Sequence, residues 1–341
     1  MQSHEQGGAS VLPSRTLGRS SVRVTALGLG AAAIAGLYED VGEDTAAATV
    51  EAAWASGIRY FDTAPHYGLG LSERRLGGVL RTKPRDSFTL STKVGRLLVP
   101  HGDGGNDRAN GFDVPSNHRR QWDFSADGVR RSLDDSLTRL GLDRVDLVLL
   151  HDPDAHEEQA FREAYPALED LRSQGVVGAI GAGMNQSHML ERFVTDTDID
   201  AVLCAGRYTL LEQGALNRLL PAAASAGKSV IVGGVFNSGL LADPKPGATY
   251  DYAAASKDLL DRALGMRDAT EAHGIPLRSA ALQFPFGHRA VASVLLGARS
   301  PSQVQDAVAQ HHRPIPEAVW KALQTRNLLP RGAPLPGRNQ T

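Results

Sequence analysis

The chain has 341 residues, of which 42% are hydrophobic and 22% are charged, and its formal net charge at pH 7 is -2. This is an ordinary globular composition without an overall basic field, so we expect neither nucleic acid nor a membrane surface as a partner. No apolar run approaches the roughly 20 residues of a transmembrane helix. The single cysteine, Cys204, excludes an intramolecular disulfide and fits a reducing cytoplasm.

Short apolar runs of β-strand character alternate with helical segments along almost the whole chain. The predicted strands cover residues 24–29, 59–63, 88–93, 145–151, 177–182, 201–205, 229–233 and 293–297. The predicted helices cover residues 45–56, 72–80, 125–140, 157–174, 187–194, 214–226, 253–273 and 301–310, with an extra helix near 316–325. Eight β/α units in succession predict an α/β fold, a (β/α)8 TIM barrel, with a doubly wound sheet as the alternative.

The two ends of the chain and two long connections complete the predicted organisation. Residues 15–17 and 22–24 flank a glycine-containing turn and predict an N-terminal β-hairpin that closes the bottom of the barrel. Residues 1–13 and 327–341 look like flexible tails around one domain of residues 14–326. The connections at 95–123 and 236–253 are long, and in a barrel both would lie on the C-terminal face, where active sites form.

Three successive predicted strands end in an ionisable side chain. Asp62 ends the second strand, Lys93 the third and His151 the fourth, and Tyr67 follows in the loop after the second. Because the carboxyl ends of barrel strands meet at one rim, we expect these four side chains to lie together. Taken singly, such residues more often cap a helix, face solvent or satisfy a backbone group, and it is their coincidence that favours a site.

These four residue types allow a specific chemistry. A tyrosine phenol has an ordinary pKa of about 10, too high for a base at neutral pH. We expect the Lys93 ammonium to lower the pKa of Tyr67, with Asp62 holding the lysine in place. His151 would hydrogen-bond a substrate oxygen. The arrangement predicts proton transfer to an alcohol or carbonyl oxygen while a hydride moves at carbon.

Three segments together resemble the aldo-keto reductase superfamily. They are Phe61-Asp62-Thr63-Ala64-Pro65-His66-Tyr67-Gly68, Ser91-Thr92-Lys93 and Leu149-Leu150-His151. The resemblance covers about residues 14–310. It implies the catalytic tetrad Asp62, Tyr67, Lys93 and His151, with Tyr67 as the acid/base, and a nicotinamide cofactor.

The same resemblance implies a set of cofactor-binding residues. Asn185 matches the residue that hydrogen-bonds the carboxamide, although an asparagine there also suits a helix cap. The stretch that holds the adenosine phosphates and ribose is matched by Gly297, Ala298, Arg299, Ser300, Gln303 and Asp306. A helix beginning near Pro301 would present free N–H groups to a phosphate.

Two departures from the family pattern bear on the cofactor. NADP-using members usually carry an arginine where Gln303 stands, and losing it removes a bidentate partner for the 2′-phosphate. We therefore expect NAD to be preferred, while Arg299 leaves NADP open. The family's aromatic residue that stacks on the nicotinamide is missing after the seventh strand, where Phe236 is the substitute.

Finer motifs resemble a bacterial group of L-fucose and D-threo-aldose 1-dehydrogenases and pyridoxal 4-dehydrogenases. They are residues 91–98, residues 151–154 and residues 236–239. The resemblance implies oxidation of a cyclic hemiacetal, an aldose or pyridoxal, to a lactone. An NADPH-dependent carbonyl reductase and a nicotinamide-binding regulatory subunit remain alternatives.

The expected partner is a small-molecule substrate, contacted by His66 and Trp122, although a tryptophan in that loop equally suits a structural anchor. The spacing of His, Cys and acidic residues predicts no metal site. The sequence favours no particular oligomeric state.

Overall fold

A computed structural model describes residues 12–102, 104–251 and 253–337. Eight parallel strands form a closed barrel surrounded by helices, which confirms the predicted fold class. The barrel strands, in chain order, are Leu27–Gly30, Tyr60–Asp62, Thr89–Val94, Leu147–His151, Ala179–Met184, Ala201–Ala205, Ser229–Gly233 and Val291–Gly297.

The barrel strands bury both of their faces, which explains why they read as continuous apolar runs. Inward-facing side chains such as Tyr60, Leu149 and Ile231 fill the barrel interior, while the other face packs against the helices. A hairpin of Ser14–Thr16 and Arg23–Thr25 precedes the first strand. Its apolar residues belong to the interior cluster, so the hairpin closes one end of the barrel as predicted.

The helices follow the strands in alternation. They cover Glu43–Ala55, Leu71–Leu80, Ala126–Leu140, Glu157–Gln159, Tyr165–Ser173, His188–Asp196, Leu219–Ala226, Lys257–Glu271, Leu277–Gln283, Pro301–His312 and Glu317–Thr325, with a π-helical segment at Ala160–Ala164. Ser125 and Ser256 cap two of them by accepting hydrogen bonds from backbone N–H groups. Within the described ranges, no helix is long and apolar enough to cross a membrane.

Several elements differ from the prediction. The helix predicted at 253–273 begins at Lys257, since Ala253–Ala254 pair with Thr249–Tyr250 in a short hairpin. The helix Leu277–Gln283 was not predicted. The long loop at 95–123 contains a further hairpin that was not predicted, in which Arg96–Pro100 pairs with His118–Trp122.

Only part of the two predicted flexible tails lies within the described residues. Residues 1–11 and 338–341 lie outside the described residues. The prediction of a loose tail is wrong for residues 327–337, because Leu329, Ala333 and Leu335 are buried. A Cβ atom on Gly287 would lie 2.3 Å from the Pro334 carbonyl oxygen, so this segment packs closely against the barrel.

Two adjacent glycines in the helix Leu71–Leu80 give a test of the packing between neighbouring helices. A Cβ atom on buried Gly77 would lie 2.0 Å from the Leu140 carbonyl oxygen, whereas one on exposed Gly78 meets nothing within 4 Å. We expect Gly77→Ala to lower the free energy of unfolding by about 1–3 kcal/mol, because the helices must separate. Gly78→Ala is the matched control, and we expect it to stabilise the helix by about 0.5–1 kcal/mol.

Urea unfolding of both variants measures the two effects in the same helix. Equal stability changes for the two variants would contradict the close contact at Gly77.

Candidate active site

A buried ion pair lies at the carboxyl end of the second and third barrel strands. Lys93 Nζ donates to Asp62 Oδ2 at 2.6 Å and to the Thr63 carbonyl at 3.0 Å, and both charged side chains are almost fully buried. Ser91 Oγ donates to the other carboxylate oxygen of Asp62 at 2.7 Å, and lies 3.0 Å from the Tyr60 hydroxyl. Each charge is thus both paired and hydrogen-bonded, as buried charges require.

The phenol of Tyr67 joins this pair. Lys93 Nζ donates to the Tyr67 hydroxyl oxygen at 3.0 Å. The loop that carries Tyr67 turns sharply at Gly68, whose φ is +58° and where a Cβ atom would lie 2.5 Å from the Ala35 carbonyl oxygen. A glycine is therefore required directly after Tyr67, both for the left-handed backbone and for the close approach.

Lys93 lowers the pKa of Tyr67 as expected, but the net shift of that pKa has the opposite sign. Burial raises the pKa of Tyr67 by more than Lys93 lowers it, so the net shift is upward. Burial alone would lower the pKa of Lys93, but Asp62 and Tyr67 together raise it. At neutral pH the site therefore holds a neutral phenol that accepts a hydrogen bond from an ammonium.

Two imidazoles complete the group of side chains around Tyr67. The His151 ring centroid lies 5.7 Å from that of Tyr67 and 5.6 Å from that of His66. Burial, with Arg96 and Lys93 nearby, holds the pKa of His151 well below its ordinary value. Burial and the same cations lower the pKa of His66 to about 2. Both rings are neutral at physiological pH, so each carries one N–H donor.

A cavity of about 760 Å³ opens beside Asp62 and Tyr67. Its walls include most of the residues predicted to bind cofactor, namely Asn185, Phe236, Gly297, Ala298, Arg299, Gln303 and Asp306. Ser300 is not in the wall; it caps the helix Pro301–His312 by accepting a hydrogen bond from the Gln303 N–H. The side-chain oxygen of Gln303 accepts from the Arg299 N–H at 2.8 Å.

Other parts of the cavity wall were not predicted. Leu37 and Tyr38 contribute from the loop after the first strand, and residues 237–239 contribute from the loop after the seventh. The Arg299 guanidinium donates to the Leu37 carbonyl at 3.0 Å and lies over the Tyr38 ring. Tyr38 has a φ of 67°, unusual for a non-glycine residue, but nothing in the sequence signals that conformation.

The long loop after the third strand also contributes residues that the sequence did not indicate. The buried Phe112 ring lies 5.4 Å from the His66 ring and 6.1 Å from the Tyr67 ring. Arg120 donates to the His66 carbonyl at 2.8 Å and pairs with buried Asp107 at 2.6 Å. The loop therefore folds over the Tyr67 side of the barrel rim.

The predicted substrate residues His66 and Trp122 lie in different surroundings. His66 packs against the Tyr67 and His151 rings, whereas Trp122 is 43% exposed in the hairpin within the long loop at 95–123. The Trp122 ring stacks against the Arg96 guanidinium at 4.2 Å, and neither Trp122 nor His66 is part of the cavity wall. Cys204 is buried in the sixth strand, and burial raises the pKa of its thiol to about 12, so it is an unreactive core residue.

Comparison with known proteins agrees with this fold. The profile of the Aldo/keto reductase family matches residues 26–327. The chain therefore belongs to the Aldo/keto reductase family, as the sequence motifs predicted, and it is an NAD(P)-dependent oxidoreductase acting on CH–OH groups.

Three individual proteins show how similar this chain is to known members of the family. The chain is 46% identical to a D-threo-aldose 1-dehydrogenase of a Pseudomonas species over 317 residues, which span 91% of this chain and 96% of that one. It is 40% identical to a pyridoxal 4-dehydrogenase of Microbacterium luteolum over 334 residues, 92% of this chain and 97% of that one. Among solved structures, the holo form of an aldo-keto reductase of Bacillus halodurans superposes with a TM-score of 0.76 at 26% identity, covering 93% and 96% of the two chains.

The buried ion pair makes a prediction about stability that does not depend on any assay of turnover. Lys93→Met leaves the Asp62 carboxylate buried without its cation, and we expect a loss of about 3–5 kcal/mol in the free energy of unfolding. Adding Asp62→Asn removes the second charge but keeps an oxygen for the Ser91 hydrogen bond, so we expect most of the loss to be recovered. Urea unfolding measures both; a double variant as unstable as Lys93→Met would contradict the pairing.

Proposed function

We propose that this protein is an NAD-dependent dehydrogenase that oxidises the anomeric hydroxyl of an aldose, of the L-fucose or D-threo-aldose type, to a lactone. The observation that carries the proposal is the Lys93 ammonium, which bridges the Asp62 carboxylate and the Tyr67 hydroxyl at 2.6 and 3.0 Å beside the cavity. The name of the relative at 46% identity supports the substrate class.

The chain's own residues would handle the proton. Tyr67 takes the proton of the anomeric hydroxyl in oxidation and returns it to the carbonyl oxygen in reduction, while the neutral His151 donates a hydrogen bond to that same oxygen. Lys93 stabilises the phenolate that the oxidation requires, and Asp62 keeps Lys93 in place. Because burial raises the pKa of Tyr67, the acid form prevails at neutral pH and oxidation gains from higher pH.

A nicotinamide dinucleotide fits the cavity by the chemistry of its walls. The cofactor, when bound, would accept the hydride from the anomeric carbon. Asn185 offers amide groups to the carboxamide near Tyr67, and the capped helix Pro301–His312 offers backbone N–H groups to a phosphate at the far end. The volume of about 760 Å³ is that of a typical small-molecule site.

We infer that NAD is preferred over NADP. Gln303 is uncharged, and its side-chain oxygen already binds the Arg299 N–H. The Arg299 guanidinium is bound to the Leu37 carbonyl, and the Arg278 guanidinium pairs with Asp306 at 3.1 Å, so both arginines in the cavity wall already have partners. A ribose hydroxyl, by contrast, can donate to the Asp306 carboxylate.

Pyridoxal is the second candidate substrate, supported by the relative at 40% identity. Its cyclic hemiacetal would lose hydride and proton in the same way, giving 4-pyridoxolactone. A screen of aldoses and pyridoxal with NAD+, followed by the absorbance of the reduced cofactor, tests the proposal. If neither class is oxidised, the proposed function is wrong. The cytoplasmic location stays a prediction based on the single cysteine.

Tyr67→Phe tests the role of the phenol. The variant keeps the ring but loses the hydroxyl, and we expect kcat to fall by roughly 10²–10⁴-fold, the contribution of general acid/base catalysis. Cofactor affinity, measured by fluorescence titration, should stay within about twofold because the substitution leaves the other cavity walls intact. Normal turnover in Tyr67→Phe would refute the assigned role.

Gln303→Arg tests the origin of cofactor preference. We expect the added guanidinium to strengthen NADPH binding by about 10- to 100-fold relative to NADH, since it supplies a charged partner for the 2′-phosphate. Gln305→Arg is the matched control, because Gln305 is exposed on the same helix and outside the cavity wall. Tighter binding of NADPH than NADH by the unmodified enzyme would overturn the inference.

A further inference from the structure

Asp152, which directly follows His151, adopts a backbone conformation that is rare outside glycine. Its φ is 43°, in the left-handed region, and its N–H donates to the Gly183 carbonyl at 3.0 Å. Aspartate tolerates this region better than most residues, but the conformation still costs free energy. Such strain at the end of a barrel strand beside a catalytic group indicates that the carboxylate has a task there.

Arg96 fixes the position of the Asp152 carboxylate. One guanidinium nitrogen of Arg96 binds Asp152 Oδ2. The guanidinium itself is buried and stacked on the Trp122 ring at 4.2 Å, so its orientation is fixed on two sides. These contacts form a continuous row from the hairpin to the barrel rim. The residues in the row are, in order, Trp122, Arg96, Asp152 and His151.

The Asp152 carboxylate is held in place by Arg96 but is not fully buried. About a quarter of the Asp152 side chain, 24%, is exposed, and Oδ2 lies 3.6 Å from His151 Nε2. That separation is longer than a hydrogen bond, so the two groups do not satisfy each other. Among the described residues, none donates a hydrogen bond to Asp152 Oδ1. The Asp152 carboxylate, paired with Arg96, therefore lies beside the imidazole with an oxygen that can accept a further hydrogen bond.

We propose that Asp152, oriented by Arg96, binds the hydroxyl on the carbon next to the reacting carbon, which makes the enzyme specific for 2-hydroxyaldehydes and the cyclic aldoses derived from them. This rests on the proposed function only in that His151 holds the reacting oxygen. The two oxygens of a 1,2-diol are separated by about the length of a hydrogen bond. One diol therefore spans both groups: the reacting oxygen accepts from His151 and the neighbouring hydroxyl donates to Asp152.

The charge of the acceptor matters for selectivity. A hydroxyl bound to a carboxylate gives a stronger hydrogen bond than one bound to a neutral group. A bound substrate displaces water from the partly buried carboxylate. A substrate without the hydroxyl offers no hydrogen bond in place of that water, so it binds less well. Simple aldehydes would then be poor substrates even though the chemistry at Tyr67 is unchanged.

The test compares two aldehydes that differ only in the 2-hydroxyl, lactaldehyde and propanal, reduced by the full-length enzyme with NADH. We expect the unmodified enzyme to favour lactaldehyde by about 10- to 100-fold in kcat/KM, the value of a hydrogen bond to a charged group. Asp152→Asn keeps a residue suited to left-handed backbone. It should lower kcat/KM for lactaldehyde by about tenfold or more and change that for propanal by less than about threefold.

Two further variants separate recognition from a structural effect. Asp152→Gly tolerates the same backbone conformation and removes the carboxylate altogether, so it should abolish the preference for lactaldehyde. Asp154→Asn removes an equal charge from the same loop, where Asp154 is exposed and bonded to Gln186, and it should leave both substrates unchanged.

Equal losses for both aldehydes in the Asp152 variants would mean that the residue only supports the site, and would overturn the proposal. An unmodified enzyme that reduces the two aldehydes equally well, or reduces neither, would also overturn it. Failure of the proposed function gives a different pattern: no aldose or pyridoxal is oxidised, while the lactaldehyde preference and its loss in the variants persist.

Discussion

The ion pair between Lys93 and Asp62 is the constraint on which the site depends. Burying two opposite charges is expensive unless each is paired and hydrogen-bonded. Strand pairing meets this condition, because Asp62 lies opposite Ser91 in the register of the second and third strands. Ser91 and Lys93 are two residues apart and so share a face of the strand, which brings the hydroxyl and the ammonium to the same carboxylate. The closed barrel thereby fixes the cation that contacts Tyr67.

The sequence predicted this part of the molecule well because it depends on regular structure. Strands buried on both faces read as short apolar runs, and the predicted strands at 201–205 and 229–233 coincide with Ala201–Ala205 and Ser229–Gly233. Ionisable residues at the ends of such runs must lie on one rim once the barrel closes. The distances among Asp62, Tyr67 and Lys93 follow from that topology.

The surroundings of the site could not be predicted in the same way. The strand His118–Trp122 is basic and mostly exposed, so it carries no apolar pattern that signals a strand. Its partner Arg96–Pro100 directly follows the third barrel strand and looks like its continuation. Phe112 reaches His66 only because the intervening loop folds back, which no local pattern encodes. The sign of the Tyr67 pKa shift was missed for a related reason: the sequence showed the nearby lysine but not the degree of burial that outweighs it.

The barrel strands and the loops that follow them contribute different parts of the site. The ends of the second and third strands place Asp62 and Lys93 beside the Tyr67 hydroxyl, and the loops after the third and fourth strands add further residues around it. In this chain those loops bring Arg96 and Arg120 near two imidazoles, and these cations help to keep both rings neutral. A neutral imidazole can donate to a substrate oxygen without adding charge beside Lys93. Asp152 offsets part of this positive charge by pairing with Arg96. The loops that carry these residues thus also place a hydrogen-bond acceptor next to His151. Arg96 therefore connects the two loops, because it helps to keep the His151 ring neutral and also holds the Asp152 carboxylate beside that ring.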